Sequence, residues 1–135
     1  MAKLRICVLG ASGYTGVELI RILLRHENVV ISALVAERNS GKILDIYPHF
    51  ISNPNYSSLP EIVKISDVDM SEIDVVFCCL PHGTTQEVIK SLPSHIKIID
   101  LSADFRLFNP LVYEKWYFHP HKAIELQKQV VFKRF

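Results

Sequence analysis

An α/β fold built on a doubly wound, mostly parallel sheet is what this sequence predicts, on three observations. Apolar runs rich in Ile, Val and Leu recur at residues 5–9, 29–35, 74–80 and 97–101, with the near-continuous hydrophobicity of strands buried on both faces. Segments of helical spacing lie between them, and that alternation implies right-handed crossovers into one sheet. The first run leads directly into Gly10-Ala11-Ser12-Gly13-Tyr14-Thr15-Gly16 and then into a helical pattern. A strand, a glycine turn and a helix in that order open a Rossmann-like, dinucleotide-binding domain.

The elements follow in order. Strand one is expected over 5–9. A helix is expected over 14–25, because Val17, Ile20, Leu23 and Leu24 share one face while Glu18, Arg21 and Arg25 lie largely on the other. Asn28 is expected to close it in a left-handed conformation. Strand two spans 29–35. Residues 39–60 hold Gly41, Pro48, Pro54 and Pro60 among Ser and Asn residues, and read as a long connection with one helical turn near Asp45. A third strand is expected over 61–65, a buried strand over 74–80, a turn over 81–85, a short helix over 85–91 and a further strand over 97–101. From Pro110 onward the pattern is helical and aromatic, and Trp116 and Tyr117 read as core cover. A final strand is expected to open near 129 and to be cut off by the end of the chain.

Composition limits the function. At 135 residues one domain is the prior, here residues 1–135 as a single incomplete nucleotide-binding domain. The net charge of +1, with Lys and Arg scattered, gives no footprint for nucleic acid. Three cysteines, two adjacent in an apolar run, make no disulfide framework and read as reduced thiols. The apolar stretch after Met1 is broken at Gly10, too short for a signal h-region or a membrane span. A cytoplasmic protein with a small-molecule ligand is the expectation.

Ligands of parallel sheets sit outside the carboxyl ends of the strands, and four candidate segments follow strands there. The glycine turn brings backbone N–H groups and the positive end of a helix to a pyrophosphate, with Ser12 and Thr15 adding hydroxyls. Glu37 and Arg38 fall about twenty residues on, where an acid would bind a ribose 2′-hydroxyl and an arginine a 2′-phosphate. Arg38, Ser40 and Lys42 form a candidate phosphate cradle, which leans toward NADP. Pro81-His82-Gly83 reads as a turn that meets the ligand through its backbone rather than through the imidazole. Asp104 and Arg106 read equally as a substrate-binding pair or as an internal ion pair. Cys7, Cys78 and Cys79 read as core rather than as nucleophiles, and the histidines show no metal-ligand spacing with them.

Together the glycine turn, Tyr47-Pro48-His49, Leu80-Pro81-His82-Gly83, Leu101-Ser102-Ala103-Asp104-Phe105-Arg106-Leu107 and Tyr113-Glu114-Lys115-Trp116-Tyr117, in that order, resemble the N-acetyl-γ-glutamyl-phosphate reductases of arginine biosynthesis, relatives of aspartate-semialdehyde dehydrogenase. The resemblance runs to about Leu126. It implies NADPH-dependent reduction of an acyl phosphate to a semialdehyde through a cysteine thioester. It also implies a pyrophosphate site at Gly10, Ser12, Gly13, Tyr14, Thr15 and Gly16, with Arg38 and Ser40 on the 2′-phosphate. Pro81 and Gly83 would lie near the nicotinamide, and Ser102, Asp104 and Arg106 in the substrate cleft. The family's Asn-Pro-Gly-Cys-Tyr-Pro nucleophile stretch is not in this sequence, and Phe118 stands where the family favours glycine. The expectation is therefore a truncated reductase piece without turnover of its own, or a non-catalytic NADP-binding module. Self-association through an open sheet edge near 129–132 is also expected.

Overall fold

The computed structural model of the protein describes residues 2–38, 41–48, 54–81, 84–102, 111 and 115. Among the described residues, five parallel strands form one sheet: β1 (Leu4–Leu9), β2 (Val29–Val35), β3 (Ile62–Val63), β4 (Val75–Cys78) and β5 (Lys97–Asp100). Their order is β3-β2-β1-β4-β5, so the chain works outward from β1 in one direction, then crosses back to lay β4 on its other side. This is the Rossmann-like order, and the reversal between β1 and β4 is its topological switch point.

Helices cover both faces. The helix α1 (Tyr14–Leu23) buries Gly16, Val17, Ile20 and Leu23, and the last three pack with Ile6, Val8, Ile31, Leu34 and Val75. On the opposite face the short helix α3 (Thr85–Lys90) brings Ile89 against Cys7, Leu9, Val35, Val76 and Cys78. The solvent side of α1 carries an Arg21–Glu18 ion pair at 2.9 Å.

The connection read from sequence as a long loop helps build the core. It contains a four-residue helix, α2 (Ile43–Ile46), where a helical turn near Asp45 was expected, and a 3₁₀ turn at Pro54–Ser58. Ile43 and Tyr56 are buried in the α1-side cluster, and Ile46, Tyr47 and Leu59 pack against it. This segment does the covering work that a full crossover helix would do.

Three elements differ from expectation by two residues at an end, while β1, α3 and β5 differ by one. The helix stops at Leu23 rather than 25. Leu24 is right-handed, and Arg25 and His26 donate to Ile22 and Leu23 in tightened i→i−3 bonds, so no left-handed Asn28 is needed. The Asn28 carbonyl instead accepts from the Leu4 N–H at 2.9 Å. The third strand is only Ile62–Val63, because Ile65–Asp67 turns into a 3₁₀ segment. The fourth strand is trimmed to Val75–Cys78: the Asp74 side chain and N–H are tied to Arg5, and residues 79–81 already belong to the turn.

One irregularity fixes the alignment of β2 on β1. Ile6 pairs with Ile31 but Cys7 pairs with Ala33, leaving Ser32 as an extra residue in β2. At the amino-terminal rim Arg5 ties β1 to β4. Its backbone N–H and its Nε both donate to Asp74 Oδ2, at 2.8 and 3.2 Å, and its Nη1 reaches Glu72 at 2.9 Å. The Arg5 guanidinium and N–H hold the Asp74 carboxyl below the ordinary aspartate range.

Candidate functional site

The five described strands are all parallel, so their carboxyl ends share one rim. It carries the glycine turn after β1, Ala36-Glu37-Arg38 after β2, Cys79-Leu80-Pro81 after β4 and Leu101-Ser102 after β5. The four segments expected to converge there do so as far as they are described. Ser40, His82, Gly83, Asp104 and Arg106 lie outside the described residues, as do the aromatic segment around Trp116 and the strand expected near 129.

The glycine turn is built from backbone contacts. The N–H groups of Gly10 and Ala11 both donate to the Val35 carbonyl, at 2.8 and 3.0 Å, and the Cys79 N–H donates to the Leu9 carbonyl at 2.9 Å. The turn is thereby stitched to β2 on one side and to the β4 end on the other. Gly10 has φ +80°, a left-handed conformation that side chains rarely adopt. A β-carbon there would also meet the Cys79 carbonyl oxygen at 2.4 Å. Gly16 is required for space: a β-carbon on it would stand 2.3 Å from the Gly10 carbonyl oxygen, so α1 can sit on the turn only with a bare residue there.

Gly13 is different. It is the N-cap of α1, with φ −83° and ψ 169°, a conformation open to any residue. Among the described residues, a β-carbon on it would meet nothing nearer than the Gly10 carbonyl oxygen, at 3.7 Å. Their packing gives no reason for glycine at this position. Gly13 offers no side chain to cap the helix, and the first turn of α1 holds no acidic residue. The first N–H groups of a helix have no partner within it, so α1 presents free donors and an uncompensated partial positive charge beside an exposed, bare backbone. Tyr14 is 89% exposed and Thr15 is exposed; Ser12 is half-buried.

The connection braces this turn. The Tyr47 hydroxyl donates to the Ser12 carbonyl oxygen at 2.5 Å, across 35 residues of sequence. Tyr47 itself is the C-cap of α2, its N–H bonded to the Ile43 carbonyl at 2.8 Å. Reading the residues for chemistry missed this contact; the Tyr47-Pro48-His49 motif was its one sequence signal.

Around the rim, Glu37 and Arg38 are both exposed, close behind Ala36, whose N–H donates to Val63 at 3.1 Å. Lys42 and Pro81 are exposed as well. Ser102 is buried at 3% exposure, its N–H and hydroxyl both bonded to the Asp100 carboxylate, at 2.8 and 3.0 Å. Its hydroxyl thus shapes the start of the loop after β5, and an Asp-x-Ser spacing is the signal that could have revealed this.

Cys7 and Cys78 are core residues, and the half-buried Cys79 packs against the core. Burial pushes the Cys7 thiol up to about 12. It pushes the Cys79 thiol up to about 11, with the nearby Asp100 carboxylate adding to the effect. Cys78 is fully buried. Neither Cys7 nor Cys79 has the depressed pKa of an activated nucleophile. No helix among the described residues is long and apolar enough to cross a membrane.

Comparisons with known proteins agree with this geometry. The chain is 52% identical over 130 residues to a probable N-acetyl-gamma-glutamyl-phosphate reductase, chloroplastic, of Arabidopsis thaliana, covering 96% of this chain and 31% of that protein. It is 50% identical to the N-acetyl-gamma-glutamyl-phosphate reductase of Afipia carboxidovorans, covering 96% and 38%. Against the reductase of Rhodobacter capsulatus the identity is 47%, with 95% and 36% covered. The chain therefore spans about a third of the length of the curated relatives it matches. Its fold is similar to that of aspartate semialdehyde dehydrogenase with NADP from Candida albicans, with TM-score 0.65 and 23% identity, over 78% of this chain and 31% of that one. Residues 5–127 match the family described as semialdehyde dehydrogenase, NAD binding domain. With the strand order, the switch point and the bare helix N-terminus all in accord, the chain belongs to the semialdehyde dehydrogenase family, as its NAD-binding domain.

Proposed function

We propose that this chain is the nucleotide-holding part of an N-acetyl-γ-glutamyl-phosphate reductase of arginine biosynthesis, and that the dinucleotide it holds is NADP(H). What supports the reading is Gly13. Two glycines of the turn answer to the fold's own packing, while the third leaves a bare backbone at an uncapped helix N-terminus. A diphosphate is the ligand such a surface suits, because amide donors and the helix field act together on it.

The roles of the described residues follow from position, and those of Ser40, Gly83, Asp104 and Arg106 from the family resemblance. Backbone N–H groups from Tyr14 to Gly16 hold the pyrophosphate, with the Thr15 hydroxyl beside them. Arg38, at the end of β2, pairs its planar guanidinium with a 2′-phosphate, with Ser40 in support, and this favours NADP over NAD. Glu37 would suit an unphosphorylated ribose, so the balance between Glu37 and Arg38 sets the preference. Pro81 and Gly83 line the nicotinamide side. Ser102, Asp104 and Arg106 border the cleft for the acyl-phosphate substrate. When bound, the nicotinamide supplies hydride. A cytoplasmic setting suits three cysteines held in the reduced state.

A second reading, a binding module without turnover of its own, is favoured by Cys7 and Cys79, whose thiols burial raises away from the activation needed to attack an acyl phosphate. Titration of NADPH fluorescence with the purified chain tests the binding claim, and phosphate-dependent turnover separates the two readings. Saturable binding that Gly13→Ala abolishes supports the nucleotide site. Equal binding by the Gly13→Ala chain would contradict it.

A further inference from the structure

We infer that Tyr47 is a positioning residue for the dinucleotide's pyrophosphate, acting through the Ser12–Gly13 peptide; this rests on the nucleotide-binding reading above. Of the three glycines in the turn, Gly10 and Gly16 are locked by the carbonyls that crowd them. Gly13 has no such neighbour among the described residues, and a residue without a β-carbon has the widest backbone freedom. It is therefore the softest joint in the turn, and it sits where α1 begins. The peptide entering it is held at both ends. Its N–H donates to the Gly10 carbonyl at 3.3 Å, and its carbonyl, that of Ser12, accepts from the Tyr47 hydroxyl.

The first of these bonds is long and stays within the turn. The second comes from outside it, from a residue packed against the α1-side core and capping α2. Tyr47 thus transfers the rigidity of the core to the one joint that must stay bare for a ligand. The N–H groups of Tyr14 and Thr15 follow directly from that peptide plane, so fixing the plane pre-aims them. Donors that need no reorganisation bind more tightly, because the ordering entropy is lost on folding rather than on binding.

The test is Tyr47→Phe in the 135-residue chain, which keeps the ring and removes the hydroxyl. NADPH affinity is expected to fall by about three- to tenfold, the worth of one neutral hydrogen bond. Adenosine 2′-monophosphate, which carries the 2′-phosphate but no pyrophosphate, is expected to bind wild type and variant equally. Equal NADPH affinity in the two chains overturns the inference and leaves the nucleotide site intact. An equal loss for both ligands also overturns it, since that is general damage rather than positioning. A wild-type chain that does not bind NADPH removes the functional reading and this inference with it. Should Tyr47→Phe not fold, hydrogen exchange at the Gly13 amide of the ligand-free wild type decides: strong protection is expected, and exchange at the rate of an open loop overturns the brace.

Discussion

Gly10 and Cys79 meet at the seam between β1 and β4: a β-carbon on Gly10 would stand 2.4 Å from the Cys79 carbonyl oxygen. The seam is the switch point of the sheet, so the same bare residue lets two strands close and lets the chain turn at φ +80°. Gly10→Ala combines a left-handed alanine with a backbone collision. It is expected to destabilise the chain by about 3 kcal/mol or more, read as a lowered urea midpoint.

Gly13→Ala is expected to behave in the opposite way. Its backbone already suits alanine, and its nearest neighbour is at ordinary contact distance. Stability should change by less than about 1 kcal/mol, the gain in unfolded-state rigidity roughly offsetting the poorer N-cap. NADPH affinity should fall by at least about tenfold, because a methyl keeps the diphosphate from the amides. A lost fold with retained binding per folded molecule would reverse the roles of the two glycines.

Arg38→Ala is expected to weaken NADPH by about tenfold, an exposed charge-assisted contact being worth less than a buried one. NADH, which lacks the 2′-phosphate, should bind almost unchanged. Glu37→Ala should shift the ratio further toward NADPH. The ratio of the two dissociation constants, measured side by side, is the readout, and an unchanged ratio in Arg38→Ala places the selectivity elsewhere.

How much of this was legible in sequence depended on range. β1, the glycine turn, α1 and β2 could be read because apolar runs and the glycine spacing are local signals. β3 was overdrawn because Ile62 and Val63 announce a strand, whereas the turn at Ile65–Asp67 is set by its own backbone bonds. The strand order was not legible, since runs such as Val-Val-Ile-Ser-Ala-Leu-Val and Val-Val-Phe-Cys do not say which neighbour each will take. The brace from Tyr47 to Ser12 was hidden for the same reason: a side chain meeting a carbonyl 35 residues away leaves no periodicity. The span 39–60 looked like loop because its prolines punctuate it, yet Ile43 and Tyr56 bury themselves as a helix would.

The Arg5–Asp74 link gives an acid limb to stability. Asp74 is held below its ordinary range first by the Arg5 side chain and then by the Arg5 N–H. Its folded value is depressed, so its contribution is complete above the unfolded aspartate value of about 4. It is lost as pH falls through the lower folded value. Asp74→Asn is expected to lower the Tm at pH 7, and the gap to wild type should close toward pH 3. A gap that is constant with pH would show that packing, not charge, is at stake.

The thiols give an alkaline limb. Cys7 and Cys79 titrate near 12 and 11 in the folded chain, above the ordinary thiol value of about 8.5. Their raised values favour the folded state fully below the unfolded thiol value, and that benefit is lost as pH rises through the folded ones. Stability should decline from about pH 8.5 upward. At pH 8 an aromatic disulfide reagent should label the native chain slowly and the urea-unfolded chain at once. Rapid native labelling would mean the β4 end opens readily.

The surplus residue in β2 has a consequence for how the molecule reaches its final shape. Ile31 and Leu34 lie in the same core although three positions apart, which an uninterrupted strand would forbid. With Ser32 set aside, β2 fits β1 in one alignment, as a notched key fits one lock, and any slid arrangement turns its greasy side chains to the wrong layer. A chain that docks β2 one step out must detach before it can go on.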